Sequence, residues 1–124
     1  MILIIGIPNS GKTTYSSQYG NCIHYDEIGR TTRDKYRRLN ELASQGNAVI
    51  EGVINEKRRR KELISSCPKD EHKVCIWLNT PLTECLKREQ NYRKRSLDMV
   101  RHHHERFEPP TYDEGWDEII IIGE

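Results

Sequence analysis

Met1-Ile-Leu-Ile-Ile-Gly-Ile-Pro-Asn-Ser-Gly-Lys-Thr-Thr14 is the stretch that decides the fold. Gly6, Gly11, Lys12 and Thr13 fit the spacing G-x-x-x-x-G-K-[S/T], a loop whose backbone N–H groups close around phosphate. The flanks supply the context this motif requires. Ile2–Ile5 is a short apolar run, as expected of a strand buried on both faces. The residues from Gly11 to Gly20 read as one short helix with the second glycine past its end. A helix start next to the loop adds a fixed positive potential for an anion. Gly6, Pro8, Asn9, Ser10, Gly11, Lys12, Thr13 and Thr14 are therefore the expected contacts of ATP. Lys12 is expected to reach the β- and γ-phosphates, and the Thr13 hydroxyl to ligate a bridging Mg²⁺.

At 124 residues the chain reads as one domain, 1–124, small for a nucleotide-binding sheet. With 35% hydrophobic and 31% charged residues, the core must be modest and the helices amphipathic. The net charge of +1 argues against coating duplex nucleic acid, but the charge is unevenly spread. Basic residues crowd 30–38, 57–61 and 87–106, which suits an anionic substrate beside the triphosphate. The four cysteines show no zinc or C-x-x-C spacing and read as reduced, structural side chains. No apolar run reaches membrane-spanning length and no leader pattern is present, so a soluble cytoplasmic protein is expected.

Along the chain, five strand candidates alternate with helices. The strands are Ile2–Ile5, Cys22–Tyr25, 48–50 closed by Glu51-Gly52, Lys73–Leu78 and Ile119–Ile122. A helix from about Thr32 to Gln45 carries the stripe Tyr36, Leu39, Leu42 and Ala43. Asn55 is the expected cap of a basic helix reaching about Ser65, whose run Lys57–Lys61 is assigned to solvent. Thr80 is expected to cap a helix that starts at Pro81. Short apolar strands separated by helices imply right-handed βαβ units and an α/β three-layer fold. The expected architecture is a five-stranded parallel sheet of order 2-3-1-4-5.

Ligands of such sheets sit beyond the carboxyl ends of the strands. That rule gathers the glycine loop, Asp26, Glu51 and the segment after Leu78 into one site. Asp26 follows the second strand, where a base for an attacking hydroxyl is needed. Glu51 ends the third, where a carboxylate holds the metal shell. Arg88 and Arg93 flank an irregular, cation-rich segment that reads as part of a lid at about 91–106. Arg30 and Arg33 are spaced to hold a phosphate on an acceptor. His102, His103 and His104 cannot converge on one metal, since consecutive helical residues point about 100° apart. His104 falls on the apolar stripe and is expected to pack there. Tyr112 and Trp116 either pack the core or border the base of the nucleotide.

These residues resemble the polynucleotide 5′-hydroxyl kinases, within the zeta-toxin-like and small phosphate-loop kinases. The carrying segments are Gly6–Thr13, Tyr25-Asp26, Val49–Gly52 with Asn55–Arg59, and Leu86–Glu89 through Arg93. Phe107-Glu-Pro-Pro-Thr111 with Glu114-Gly-Trp-Asp-Glu-Ile119 completes the set. The resemblance implies ATP as donor, Asp26 as general base, Arg88 and Arg93 as lid cations, and Arg30 or Arg33 on the acceptor's phosphate. It implies a nucleic-acid 5′ end as substrate, with no membrane and no obligate protein partner. Departures from the family pattern are Glu51-Gly52-Val53 where Asp and then Thr-Asn are usual, and a one-residue offset in both arginine spacings. A small-molecule kinase, acting on a nucleoside, nucleotide or sugar, is the alternative. A nucleotide-binding regulatory module with slow hydrolysis is the second.

Overall fold

The structure is a computed structural model that describes residues 1–123. Its centre is β1 (Ile2–Ile5), flanked by β3 (Val49–Gly52) and β4 (Val74–Leu78). Ile2 lies opposite both Val49 and Val74, and Ile5 opposite Gly52 and Trp77. β2 (Ile23–His24) pairs outside β3, and β5 (Glu118–Ile122) outside β4. All pairs are parallel and the order is β2-β3-β1-β4-β5, as expected.

Both faces of β1 are covered, which explains its unbroken apolar run. Leu3 and Ile5 pack with Tyr36 and Leu39 of α2 (Thr32–Ser44) and Leu63 of α3 (Lys57–Ser66). Ile4 packs on the other face with Val49, Ile76 and Leu78, and Tyr15 of α1 (Lys12–Ser16) leans on this group. The three-to-four spacing of Tyr36, Leu39 and Ala43 is what turns one face of α2 inward. The Thr31 side chain starts that helix by accepting from Asp34 N at 3.1 Å. α4 (Leu82–Tyr92) and α5 (Leu97–Arg106) meet through Cys85 and Val100, which close over Ile7. Cys67, Cys75 and Cys85 are buried, and burial pushes the Cys75 thiol up to about 12, so it packs as a small hydrophobe.

Several local expectations are corrected. α1 stops at Ser16 rather than Gly20; the Ser16 and Ser17 hydroxyls donate back to the Thr13 and Thr14 carbonyls, the local bonding that makes serine a poor helix continuer. β2 has only two residues, and Tyr25–Glu27 forms a 3-10 turn in place of its end. Tyr25 crosses over β3 at Gly52, where an added Cβ would meet Tyr25 Cβ at 2.6 Å. Asn55 does not cap α3: Glu56 holds that position, and the Asn55 carbonyl instead accepts from Glu108 N. Thr80 does not cap α4 either, because its hydroxyl donates to the Ser10 carbonyl at 2.7 Å and Pro81 takes the cap position. α4 runs on to Tyr92, so the break before α5 is only four residues, 93–96.

The run Lys57–Lys61 is not wholly solvated. Arg60 is fully buried and its Nε and Nη2 donate to Glu114 at 2.7 and 3.1 Å. Nη1 also donates to the Ile54 carbonyl and Nη2 to the Glu108 carbonyl. Glu114 also accepts from Trp116 Nε1 and Thr111 N, so the pair is satisfied on every side. The segment Phe107–Trp116 is thereby a brace: Phe107 stacks on Trp77, Trp116 is in the core and Tyr112 is exposed. Arg59 lies over the Tyr36 ring at 4.4 Å.

Candidate active site

Gly6–Thr13 leaves β1 at its carboxyl end and turns through two left-handed residues, Asn9 (φ 69) and Gly11 (φ 99). Gly6 has no room for a side chain, since an added Cβ would clash with the Ser10 hydroxyl and lie 2.9 Å from the Leu78 carbonyl. Lys12 Nζ folds back to donate to the Ile7 carbonyl at 2.9 Å and is nearly buried. Burial lowers its pKa to about 8, although the Glu51 and Asp26 carboxylates pull it back up.

The loop opens on a cavity of about 1060 Å³. Pro8, Asn9, Ser10, Gly11, Lys12, Thr13 and Thr14 line one end; Tyr25, Asp26, Thr32, Tyr36, Val53, Asn55 and Glu56 line another. Ser10 Oγ, Asn55 Oδ1 and His103 Nδ1 are buried without a partner, and all three residues line this cavity. Buried polar atoms are rarely left unpaired, so these three are sites where a ligand or a water would complete the hydrogen bonding.

The cation-rich turn 93–96 is tied to the phosphate loop through Asn9 and Glu89. Asn9 Nδ2 donates to Glu89 Oε1 at 3.0 Å, and Arg88 Nη1 to the Asn9 carbonyl at 2.7 Å. Arg95 Nη1 donates to Asn9 Oδ1 at 3.0 Å. Arg88, Lys94 and Arg95 line the cavity.

The structure brings together the eight loop residues' segment, Asp26 and Arg88. Asp26 sits on the 3-10 turn after β2 and is solvent-exposed toward the cavity. Arg93 does not line it; the residue is exposed at the left-handed C-cap of α4 (φ 54). Arg30 and Arg33 are exposed and also outside the cavity wall. Glu51 is buried below the floor, where its Oε1 meets His24 Nδ1 at 2.8 Å. Of the three histidines, His103 turns inward and His104 is exposed, the reverse of the helical stripe expected.

Sequence reasoning ranked Lys94 and Arg95 below Arg88 and Arg93 as lid cations, and gave no site role to Glu89, Tyr36 or Asn55. For Asn55 the only signal was its place just beyond a strand. For Arg95 none distinguished it from its neighbours in a cationic run.

The residues present suit a nucleotide and its metal. The left-handed turn through Asn9 and Gly11, the unpartnered Ser10 hydroxyl and the buried ammonium of Lys12 fit a phosphate chain. No group of three or more His, Cys, Asp and Glu among the described residues converges on a metal. Mg²⁺ carried by a triphosphate needs less, one or two protein oxygens besides phosphate and water. No helix among the described residues is long and apolar enough to cross a membrane.

No protein-family model matches the chain, and no curated protein sequence matches it. Solved structures do. A gluconokinase from Sinorhizobium meliloti 1021 superposes with a TM-score of 0.67 at 16% identity, over 97% of this chain and 79% of that one. A sugar kinase from Janibacter sp. HTCC2649 gives 0.66 at 17% identity, over 98% and 83%. What the chain shares with these kinases, across nearly its whole length, is the fold.

Proposed function

We propose that the protein is an ATP-dependent phosphotransferase whose acceptor is a hydroxyl of a small molecule. The observation that carries this is one cavity lined by both the phosphate loop with Lys12 and the Asp26 carboxylate. In this reading Lys12 and the loop amides hold the β- and γ-phosphates, and Arg88 adds charge from α4. Asp26 takes the proton of the acceptor hydroxyl as its oxygen bonds to the γ-phosphorus. The bond from that phosphorus to the bridging oxygen breaks, and ADP leaves with the electron pair. Thr13 and, through water, Glu51 would hold Mg²⁺, which when bound offsets phosphate charge.

Tyr25, Thr32, Tyr36 and Asn55 form the acceptor wall, with the unpartnered Asn55 Oδ1 ready to accept from a second hydroxyl. A sugar-like acceptor fits that wall, and the fold is shared with a gluconokinase and a sugar kinase. The polynucleotide reading finds less support. Its most specific residues, Phe107–Thr111 and Glu114–Ile119, are spent on the buried Arg60–Glu114 brace and β5, and Arg30 and Arg33 stand apart from the cavity.

The test is γ-labelled ATP with sugars, sugar acids, nucleosides, nucleotides and 5′-hydroxyl oligonucleotides as acceptors. Label is expected in a soluble acceptor, and Asp26→Asn should lower that transfer by about 10²-fold or more while ATP still binds. Label found only in oligonucleotides would reinstate the polynucleotide reading. ATP turnover indifferent to every acceptor would leave a regulatory module instead.

A further inference from the structure

Glu89 is a buried charge that the reaction above does not use. Its side chain is 1% exposed although it lies in the last turns of α4, where a carboxylate opposes the helix dipole. Four hydrogen bonds compensate. Oε2 accepts from the backbone N–H groups of Lys94 and Arg95 at 2.8 and 3.0 Å. Oε1 accepts from Asn9 Nδ2 at 3.0 Å and Arg95 Nη1 at 3.3 Å. The bond from Asn9 is the largest of the influences that hold the Glu89 carboxyl below the usual range.

Closing a helix end requires only the backbone pair on Oε2. The other oxygen joins two groups distant in sequence, a residue of the phosphate loop and a guanidinium that lines the cavity. Asn9 completes the triangle by accepting from the same Arg95 Nη1. Among the described residues, the Arg95 guanidinium donates within the protein through Nη1 alone, so Nε and Nη2 remain as donors for phosphate.

We infer that Glu89 is a positioning residue: with Asn9 it fixes Arg95 by one nitrogen so that the other donors meet the terminal phosphate of a bound triphosphate. This rests on the ATP reading of the site but not on any acceptor. Arg95 is preorganised before nucleotide arrives, and the rigid floor of the loop sets where its charge sits.

The experiment measures ATP and ADP dissociation constants by calorimetry, with Mg²⁺, for wild type, Arg95→Ala, Glu89→Gln and the double variant. A hydrogen bond to a charged group is worth enough that Arg95→Ala should weaken ATP by about tenfold or more, with ADP weakened much less. Glu89→Gln should lower the ATP preference in the same sense, about threefold or more, with no further loss once Arg95 is alanine. Arg95→Lys should restore part of the preference. Equal weakening of ATP and ADP by Glu89→Gln, repeated in the Arg95→Ala background, would show a plain helix-end cap and overturn the inference. Should Glu89→Gln not fold, an ATP-to-ADP ratio unchanged in the half-exposed Arg95→Ala variant overturns it as well. Affinity requires no acceptor, so a failed transfer assay and a failed positioning role give different results.

Discussion

Two cationic runs, Lys57–Lys61 and Arg93–Arg95, look alike in sequence and have opposite fates. In the first, Arg60 is fully buried, with every nitrogen satisfied by Glu114 or a carbonyl. In the second, Arg95 is half-buried and held by a single nitrogen at the edge of a cavity. A buried guanidinium with all three nitrogens engaged holds structure, whereas one with two nitrogens free can meet a ligand. Composition does not separate them; the number of partners does.

The sharpest way to break this contrast is to remove one half of the brace. Arg60→Ala leaves Glu114 buried without its cation, at a cost of about 3–5 kcal/mol, read from the midpoint of a denaturant titration. Arg60→Met with Glu114→Leu should recover most of that loss, since both charges then go together. If the single change is nearly silent, the brace is not what holds Phe107–Trp116. The alanine change at Arg95 should move the same titration far less, because buried Glu89 keeps its bonds from Asn9 Nδ2 and from the Lys94 and Arg95 backbone N–H groups.

A second comparison concerns a cation in the floor. Lys12 is buried with its pKa lowered to about 8, so in the free protein it loses its proton at a lower pH than in the unfolded chain. Between about 8 and the ordinary lysine value the unfolded state binds more protons, and stability of the nucleotide-free protein therefore rises with pH. Phosphate needs the charged form, so ATP affinity should fall over the same range. Opposite slopes in thermal unfolding and calorimetry, both absent in Lys12→Met, are the expected result. A local effect is expected at the turn 93–96: Ser96→Ala removes the hydroxyl that accepts from Met99 N and should cost about 1 kcal/mol of stability.

Much of the fold was legible because its signals are local. Ile2–Ile5 reads as a doubly covered strand whatever follows it, and the phosphate loop needs its glycines, Lys12 and Thr13 at fixed offsets. Alternating strands and helices, with right-handed crossovers, then imply the observed strand order. Caps were less legible. Thr80 has the right side chain for capping but spends its hydroxyl on the Ser10 carbonyl, whereas Asn55 falls one residue before the cap position and leaves its Oδ1 unpartnered beside the cavity. The inward histidine of α5 was misplaced by one position because the helix phase was read from an apolar stripe too short to fix it.

By itself, then, the sequence determined a parallel sheet with a glycine-rich loop at the tip of its central strand, since backbone conformation and strand burial depend on nearby residues. Only the tertiary structure decided which arginines are buried and which reach the cavity, and that Arg30 and Arg33 do neither. The reason is physical: a guanidinium's role is set by the partners that packing brings from elsewhere, 54 residues away for Glu114 and 86 for Asn9.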